Sequence, residues 1–175
     1  MDHDTIVLGG GCFWCLEAVY EEVIGVREAL SGYMGGTQEE ATYTQVCTGQ
    51  TGHAEVVHLS FNPKVVSLEK LLAIFWNIHD PTTPNQQGHD KGPQYRSVIF
   101  YSNDAQFQCA QHAKAEAQKR FSAPIVTQIV PASIFYEAEA YHRHYFKNNP
   151  EAGYCQAVVA PKVKKFQQTY PDLRR

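Results

Sequence analysis

Residues 5–15 read TIVLGGGCFWC and set the pattern of the fold. The apolar run Thr5–Leu8 predicts a strand, and three glycines then predict a tight turn. Apolar side chains next recur at helical spacing, at Leu16, Val19, Tyr20 and Val23. This pattern puts Cys12 where a strand turns into a helix, and the helix N-terminus is expected to stabilise a thiolate there. With Phe13 and Trp14 beside it, Cys12 is predicted to be a low-pKa nucleophile that attacks a small apolar group.

The composition is that of an ordinary globular protein. The chain has 175 residues, of which 43% are apolar and 19% charged, and its formal net charge is −3. This size predicts a single domain over 1–175, and nothing in the charge balance suggests a basic nucleic-acid surface. The start of the chain has no signal-peptide pattern, and no apolar run is long enough to span a membrane. We therefore expect a cytoplasmic monomer that binds neither nucleic acid nor a membrane.

Periodicity predicts an α/β (α+β) fold. Strand-like runs are at 5–9, 26–33, 54–61, 95–101 and 125–130, and helix-like runs are at 12–23, 67–78 and 104–121. The first six elements follow the β-α-β-β-α-β order of a ferredoxin-like, two-layer sandwich with a mixed sheet. From about residue 131 we expect an irregular C-terminal tail, interrupted by a helix-like run at 138–146 and a last short helix, Lys162–Tyr170.

A carboxyl group is predicted on an apolar strand face. In the run 52–61, alternation puts Glu55 on the same face as Val57, Leu59 and Phe61. Burial would raise the pKa of Glu55 and make it a candidate general acid. The alternative is that Glu55 lies at the strand end and is solvated, and alternation alone leaves both open.

Loops supply further candidate groups. The stretch 80–92 is polar and long, as functional loops often are, and it leads to Tyr95. Tyr95 and Tyr43 each offer a hydroxyl donor. Asp90 could orient a donor or a water, although an Asp in a Gly-rich loop is more often part of a turn.

The five cysteines argue against a disulfide framework, because their number is odd and no secretion signal is evident. Cys109, in a helix-like run, is expected to be a packing residue, and Cys47 is assigned no role. Cys155 lies in a Pro/Gly-rich stretch that could move and reach another thiol, or it is a bystander. The histidine spacings fit no paired ligand motif, so no metal site is predicted. Neither a Rossmann fingerprint nor a P-loop is present.

Taken together, the motifs resemble those of the peptide methionine sulfoxide reductase A family. The matching segments are Gly11–Trp14, Ser31–Tyr33, Thr42–Cys47, Thr51–Glu55, His79–Thr82, Gln87–Asp90, Gln94–Ser97, Ala140–Tyr145 and Gly153–Cys155. They follow one another in order over almost the whole chain. The resemblance implies an oxidoreductase that reduces the S epimer of methionine sulfoxide, free or in proteins. It also implies a ferredoxin-like core and recycling by thioredoxin, with no organic cofactor or metal.

Roles follow from the resemblance position by position. Cys12 resembles the nucleophile, Glu55 the acid that protonates the sulfoxide oxygen, and Cys155 the resolving cysteine. A sulfenic acid left on Cys12 would condense with a second thiol to a disulfide, and exchange with an external dithiol would reset it.

The substrate would be held by aromatic and polar side chains. Phe13 and Trp14 resemble the pocket for the substrate methyl group. Tyr43 and Tyr95 resemble groups that bind the oxygen, and Asp90 resembles one that does so through water. Neutralising charge on that oxygen is what thiolate attack on sulfur requires.

Cys15 departs from the family pattern, which more often has glycine there. Cys12 and Cys15 form a Cys-x-x-Cys motif, a redox spacing in its own right. Cys15, Cys155 or a relay between them could therefore resolve the sulfenic acid, and the Gly-Tyr-Cys context favours Cys155. Two rival functions stay open on the sequence: a thiol–disulfide oxidoreductase built around Cys-x-x-Cys, and a non-enzymatic sulfoxide-binding adaptor.

Overall fold

The computed structural model describes residues 3–175 and forms a mixed sheet with helices packed on it. The strands are β1 Asp4–Gly9, β2 Val26–Met34, β3 Ala54–Phe61, β4 Gln86–Gln87, β5 Asp90–Lys91, β6 Val98–Tyr101, β7 Gln128–Pro131 and β8 Tyr136–Glu137. The helices are α1 Phe13–Tyr20, α2 Tyr43–Val46, α3 Leu68–Ile78, α4 Asp104–Gln118, α5 Tyr145–Asn148 and α6 Ala160–Thr169. No helix within 3–175 is both long and apolar enough to cross a membrane.

The sheet has the order predicted from the element pattern. Its six strands run β7-β6-β1-β3-β2-β8, and the central four, β6-β1-β3-β2, are antiparallel neighbours. This arrangement is the split βαβ order of the ferredoxin-like sandwich. Helix α4 then connects β6 to β7, which pair in parallel and make the sheet mixed. The α/β (α+β) sandwich prediction is confirmed.

Alternation along β1 separates two apolar layers. Ile6 and Leu8 point into the main core with residues of α1 and α3, whereas Val7 lies on the opposite face. That second face is smaller and is covered by the partly buried Phe135. The helices thus cover one side of the sheet, as a two-layer sandwich requires.

Several predicted boundaries differ from the structure. The run 95–101 does not begin as a strand, because Tyr95 ends a 3₁₀ turn, Pro93–Tyr95, and the strand starts only at Val98. Helix α2 was not predicted; the Thr42 side chain caps it by accepting from the Gln45 N–H at 3.3 Å. The predicted helix at 138–146 is instead a 3₁₀ turn and then α5, and His144 separates them with a φ of 53°.

The C-terminal segment is more regular around Cys155 than the sequence suggests. Cys155 lies not in a mobile loop but at the start of a π-helical turn, Cys155–Val159, which continues into α6. Cys155, Val159, Val163 and Phe166 are all buried against the main core. Apolar burial along this face explains why the chain stays helical after its Pro/Gly-rich stretch.

Candidate active site

The turn between β1 and α1 presents Cys12 at the beginning of the helix. Cys12 is the N-cap residue of α1 and is 6% exposed. Gly11 adopts a φ of 87°, a conformation that favours glycine, and its N–H donates to the Tyr95 carbonyl at 3.1 Å. The nucleophile candidate and Tyr95 are therefore joined through the backbone.

The Cys12 thiol does not have the low pKa that its helix position suggests. Burial, followed by the charges of Glu55 and Cys15, raises the pKa of Cys12 well above its usual value. The Trp14 N–H at the helix start lowers the pKa, as the sequence argument requires, but by less than burial raises it. The prediction of a resting thiolate is wrong because desolvation is a tertiary effect that the local sequence does not reveal.

Glu55 is the buried acid of the site. It is the second residue of β3, is 1% exposed, and accepts the Phe13 N–H through Oε1 at 3.1 Å. Its other oxygen, Oε2, is buried without a hydrogen-bond partner among residues 3–175. Burial raises the pKa of Glu55 to about 8, so the carboxyl group is protonated near neutral pH. Of the two alternatives left open by alternation, the buried one holds.

The raised pKa of Glu55 predicts a pH-dependent stability. The folded chain keeps this proton up to about pH 8, whereas the unfolded chain releases it near the ordinary glutamate pKa of 4.5, so the free energy of unfolding falls as pH rises through this window. In wild type this difference in proton binding lowers the free energy of unfolding by up to about 1.4 kcal/mol for each unit that the pH rises across the window, and Glu55→Gln should remove that dependence. Glu17, whose pKa burial raises to about 7, titrates in both proteins and cancels in the comparison. Urea unfolding of both proteins across this window measures how their free energies of unfolding depend on pH. Parallel plots of the free energy of unfolding against pH would contradict the prediction.

Two tyrosines stand beside the acid. Tyr43 opens α2 and Tyr95 ends its 3₁₀ turn, and both are half-buried. Burial, and then the charge of Glu55, raises the pKa of each, with a smaller contribution from Cys12. Both hydroxyls therefore stay protonated and can donate. The structure brings these two residues together with Cys12 and Glu55.

Asp90 reaches the same cluster from the β4–β5 hairpin. Its Oδ2 accepts the Tyr154 hydroxyl at 2.5 Å, and its charge contributes to raising the pKa of Cys12 and of Glu55. Asp90 is thus more than a turn residue. It joins the hairpin to Tyr154, which immediately precedes Cys155.

The aromatic wall is built around Trp14. Tyr145 stacks on the indole with ring centroids 3.7 Å apart, and Tyr154 meets it edge-on at 5.7 Å. The indole Nε1 donates to Nδ1 of the buried His142 at 2.9 Å. Phe13 is fully buried, with its ring 5.0 Å from that of His142, so the partly exposed Trp14 forms the outer part of the wall.

His142, Tyr145 and Tyr154 had no role in the sequence-based prediction. Each lies in a segment that carried the resemblance, but their contacts with Trp14 span 128 residues or more of chain. The concentration of aromatic and histidine residues at 141–146 was the only local signal. Pairing across such a separation depends on the fold and not on spacing.

The two candidate resolving thiols, Cys15 and Cys155, are both buried. Cys15 is 1% exposed and Cys155 fully buried, and all five cysteines are free. Burial raises the pKa of Cys15 to about 11, although Lys162 and the Tyr154 hydroxyl lower it; Cys155 adds a small raising contribution. The charge of Cys15 in turn contributes to raising the pKa of Cys12. Cys15 is therefore in electrostatic contact with both of the other thiols.

Of the two remaining cysteines, Cys109 lies apart from this chemistry, whereas Cys47 borders it. Burial and then the charge of Glu55 raise the pKa of Cys47, and a hydrogen bond with the Tyr43 side chain lowers it. Cys109 is half-buried against the main core on α4, and Cys47 is exposed next to Tyr43. Among the described residues, Glu17, Glu21 and His144 have side-chain ligand atoms within 4.8 Å of one another. Lys147 already pairs with Glu21 at 3.2 Å, and these contacts tie α5 to α1.

The arrangement suits attack on an electrophilic sulfur that carries an oxygen. In this arrangement Cys12 can serve as a nucleophile, and a protonated Glu55 can serve as an acid for the oxygen. Tyr43 and Tyr95 add neutral donors, which stabilise developing charge best when they are preorganised. Trp14 provides an apolar surface for a small alkyl group.

Comparisons with known proteins agree with this chemistry. The family model for peptide methionine sulfoxide reductase matches residues 4–174. The peptide methionine sulfoxide reductase MsrA of Polynucleobacter asymbioticus is 52% identical over 97% of this chain and 90% of its own length. Mxr1 from Saccharomyces cerevisiae in reduced form superposes with a TM-score of 0.82 at 38% identity, covering 88% of this chain and 90% of Mxr1.

A second solved structure contains a partner. Mxr1 in complex with Trx2 matches with a TM-score of 0.57 at 29% identity, covering 82% of this chain and 85% of that chain. The family model alone covers almost the whole sequence, and the site geometry fits its description. This chain belongs to the peptide methionine sulfoxide reductase family.

Proposed function

We propose that this chain reduces the S epimer of methionine sulfoxide, free or in proteins, with Cys12 as nucleophile and Glu55 as general acid. The observation that carries the proposal is the buried Glu55 carboxyl group, whose Oε2 has no partner among residues 3–175, beside a buried thiol at a helix start. Burial raises the pKa of Glu55 to about 8, which favours its protonated form. The S stereochemistry rests on the family resemblance.

In the first step Cys12 attacks the sulfoxide sulfur. Glu55 gives its proton to the sulfoxide oxygen, and the hydroxyls of Tyr43 and Tyr95 donate hydrogen bonds to that oxygen. Asp90, held by Tyr154, supports a water that reaches the same atom. The sulfur–oxygen bond and the transient bond between the two sulfurs then break, and the hydroxyl group passes to the Cys12 sulfur. Methionine leaves, and Cys12 is oxidised to a sulfenic acid. The thiol proton of Cys12 replaces the one that Glu55 gave, so the carboxyl group ends protonated.

Phe13 and Trp14 hold the methyl group of the substrate. The indole is fixed on one face by Tyr145 and at its N–H by His142. A rigid apolar surface binds a methyl group with little loss of side-chain entropy. The carbon attached to the reacting sulfur is thereby kept at one side of Cys12.

In the second step another thiol condenses with the sulfenic acid, releasing water and forming a disulfide. Cys155 is the proposed resolving residue, and Cys15 is the alternative or an intermediate relay. Thioredoxin then reduces the disulfide by thiol–disulfide exchange. The complex of Mxr1 with Trx2 supports this partner. The cycle needs no prosthetic group or metal, because the thiols themselves carry both electrons.

We further propose that residues 1–175 act as one reductase domain and as a monomer. The family model, which extends over 4–174, supports the single domain. A cytoplasmic location fits a cycle that depends on reduced thiols and on thioredoxin. Five free cysteines are in keeping with such a compartment.

The cysteine variants test this function together with the resolving step. With thioredoxin as reductant, the wild type should turn over methionine S-sulfoxide and leave the R epimer unchanged. Cys155→Ser should still release one methionine per chain but stop cycling, because the sulfenic acid finds no final partner. Cys15→Ser should cycle normally unless Cys15 relays the oxidation.

Methionine release by chromatography measures each arm of this experiment. Cycling by Cys155→Ser at the wild-type rate would shift the resolving role to Cys15. A wild type that reduces insulin disulfides but neither sulfoxide epimer would overturn the proposed function.

A further inference from the structure

Glu139 makes two hydrogen bonds that connect distant parts of the site. Its Oε2 accepts the backbone N–H of Tyr43 at 2.8 Å, and its Oε1 accepts the Tyr33 hydroxyl at 2.8 Å. Glu139 immediately precedes the 3₁₀ turn Ala140–His142. Although burial opposes its ionisation, these bonds lower the pKa of Glu139, so it is a carboxylate at neutral pH.

The bond to Tyr43 stabilises α2, which is too short to be stable on its own. Tyr43 is the first residue of α2, which is only four residues long. Helices this short are marginal without tertiary contacts, and their first N–H groups have no partner within the helix. Thr42 accepts from Gln45 and leaves the Tyr43 N–H to Glu139. An ionised acceptor makes this a charge-assisted bond.

The bond to Tyr33 anchors Glu139 to the strand pair that carries the acid. Tyr33 is fully buried on β2 and pairs directly with Glu55 on β3. Its ring lies 5.7 Å from that of Phe13. Glu139 therefore connects the Tyr43 backbone to the same sheet that carries Glu55.

We propose that Glu139 is a positioning residue of the sulfoxide site, which holds the Tyr43 hydroxyl in register with the Glu55 carboxyl group. The inference rests on the proposed function and adds a residue to it. The same turn carries His142, which holds Trp14, so one short segment supports both the oxygen-binding and the methyl-binding side. Small displacements of such groups are costly, because oriented donors act only at the correct distance.

A double-mutant cycle tests the inference through single-turnover release of methionine from methionine S-sulfoxide. Glu139→Ala should slow release roughly tenfold or more by letting Tyr43 move. In a Tyr43→Phe background, the same change should cost less than about twofold, because its effect passes through the missing hydroxyl. Glu139→Gln should restore the rate to within about threefold, since its amide can accept from the Tyr43 N–H and donate to Tyr33.

Glu137→Ala is the matched control, because Glu137 is a carboxylate on the same segment that pairs with the exposed Arg143. It should react like the wild type. Equal losses from Glu139→Ala in both backgrounds, or a normal rate in Tyr43→Phe, would overturn the inference while leaving the proposed function standing. If Glu139→Ala does not fold, Tyr33→Phe replaces it, since it removes one anchor of Glu139, and the same coupling to Tyr43→Phe is required. An inactive wild type would instead count against the proposed function.

Discussion

Cys12→Ser is expected to abolish sulfoxide reduction, in single turnover as well as in cycling. A serine hydroxyl fits the same N-cap position, so the fold should be retained. It is however a far weaker nucleophile than a thiol, and it cannot carry oxidation as a sulfenic acid. With no sulfur at position 12, the site loses the thiol that interacts with Glu55. Methionine release should fall to the level of the uncatalysed reaction with the reductant.

The matched control for this prediction is Cys109→Ser. Cys109 is half-buried on α4 and takes no part in the cluster around Glu55, so its replacement should leave the rate unchanged. Methionine released by Cys12→Ser above the background rate would contradict the assignment of the nucleophile. Thermal unfolding of each variant checks that lost activity does not follow from lost folding.

Glu55→Gln is expected to slow the first step about a hundredfold or more, the typical contribution of a general acid. The amide has the same shape, and its oxygen can still accept the Phe13 N–H that now bonds Oε1. It can also donate a hydrogen bond to the sulfoxide oxygen, but it cannot give up a proton. The substitution therefore separates proton transfer from hydrogen bonding.

Glu17→Gln is the appropriate control for the loss of a buried acid. Glu17 is also buried, and burial raises its pKa to about 7, but its carboxyl group lies beside Glu21 and Ser31, outside the catalytic cluster. Rapid-quench measurement of methionine in single turnover reports the first step alone. A near-normal rate for Glu55→Gln would remove Glu55 from the role of acid.

The parts of the site that follow a regular period could be predicted from the sequence. The strand-turn-helix pattern around Cys12 and the alternation that buries Glu55 both appear in the structure. A period fixes which face a side chain takes, and burial on that face then fixes its chemistry. The ferredoxin-like order followed from the same periods.

The contacts that position these groups could not be predicted in this way. Asp90 meets Tyr154 across 64 residues, and Glu139 meets Tyr43 across 96. The pKa of Cys12 was misjudged for the same reason, because the helix start is local whereas burial comes from distant segments. Cys155 was expected in a loop because its Pro/Gly-rich surroundings do not reveal the apolar face of α6.

Mixing the reduced protein with one equivalent of methionine S-sulfoxide, in the absence of any reductant, tests the role of Cys12 most directly. Mass spectrometry of the peptides and chromatography of methionine then follow both products. The account predicts one methionine per chain and Cys12 in a disulfide with Cys155 or Cys15. Methionine formed while Cys12 remains a free thiol would contradict it.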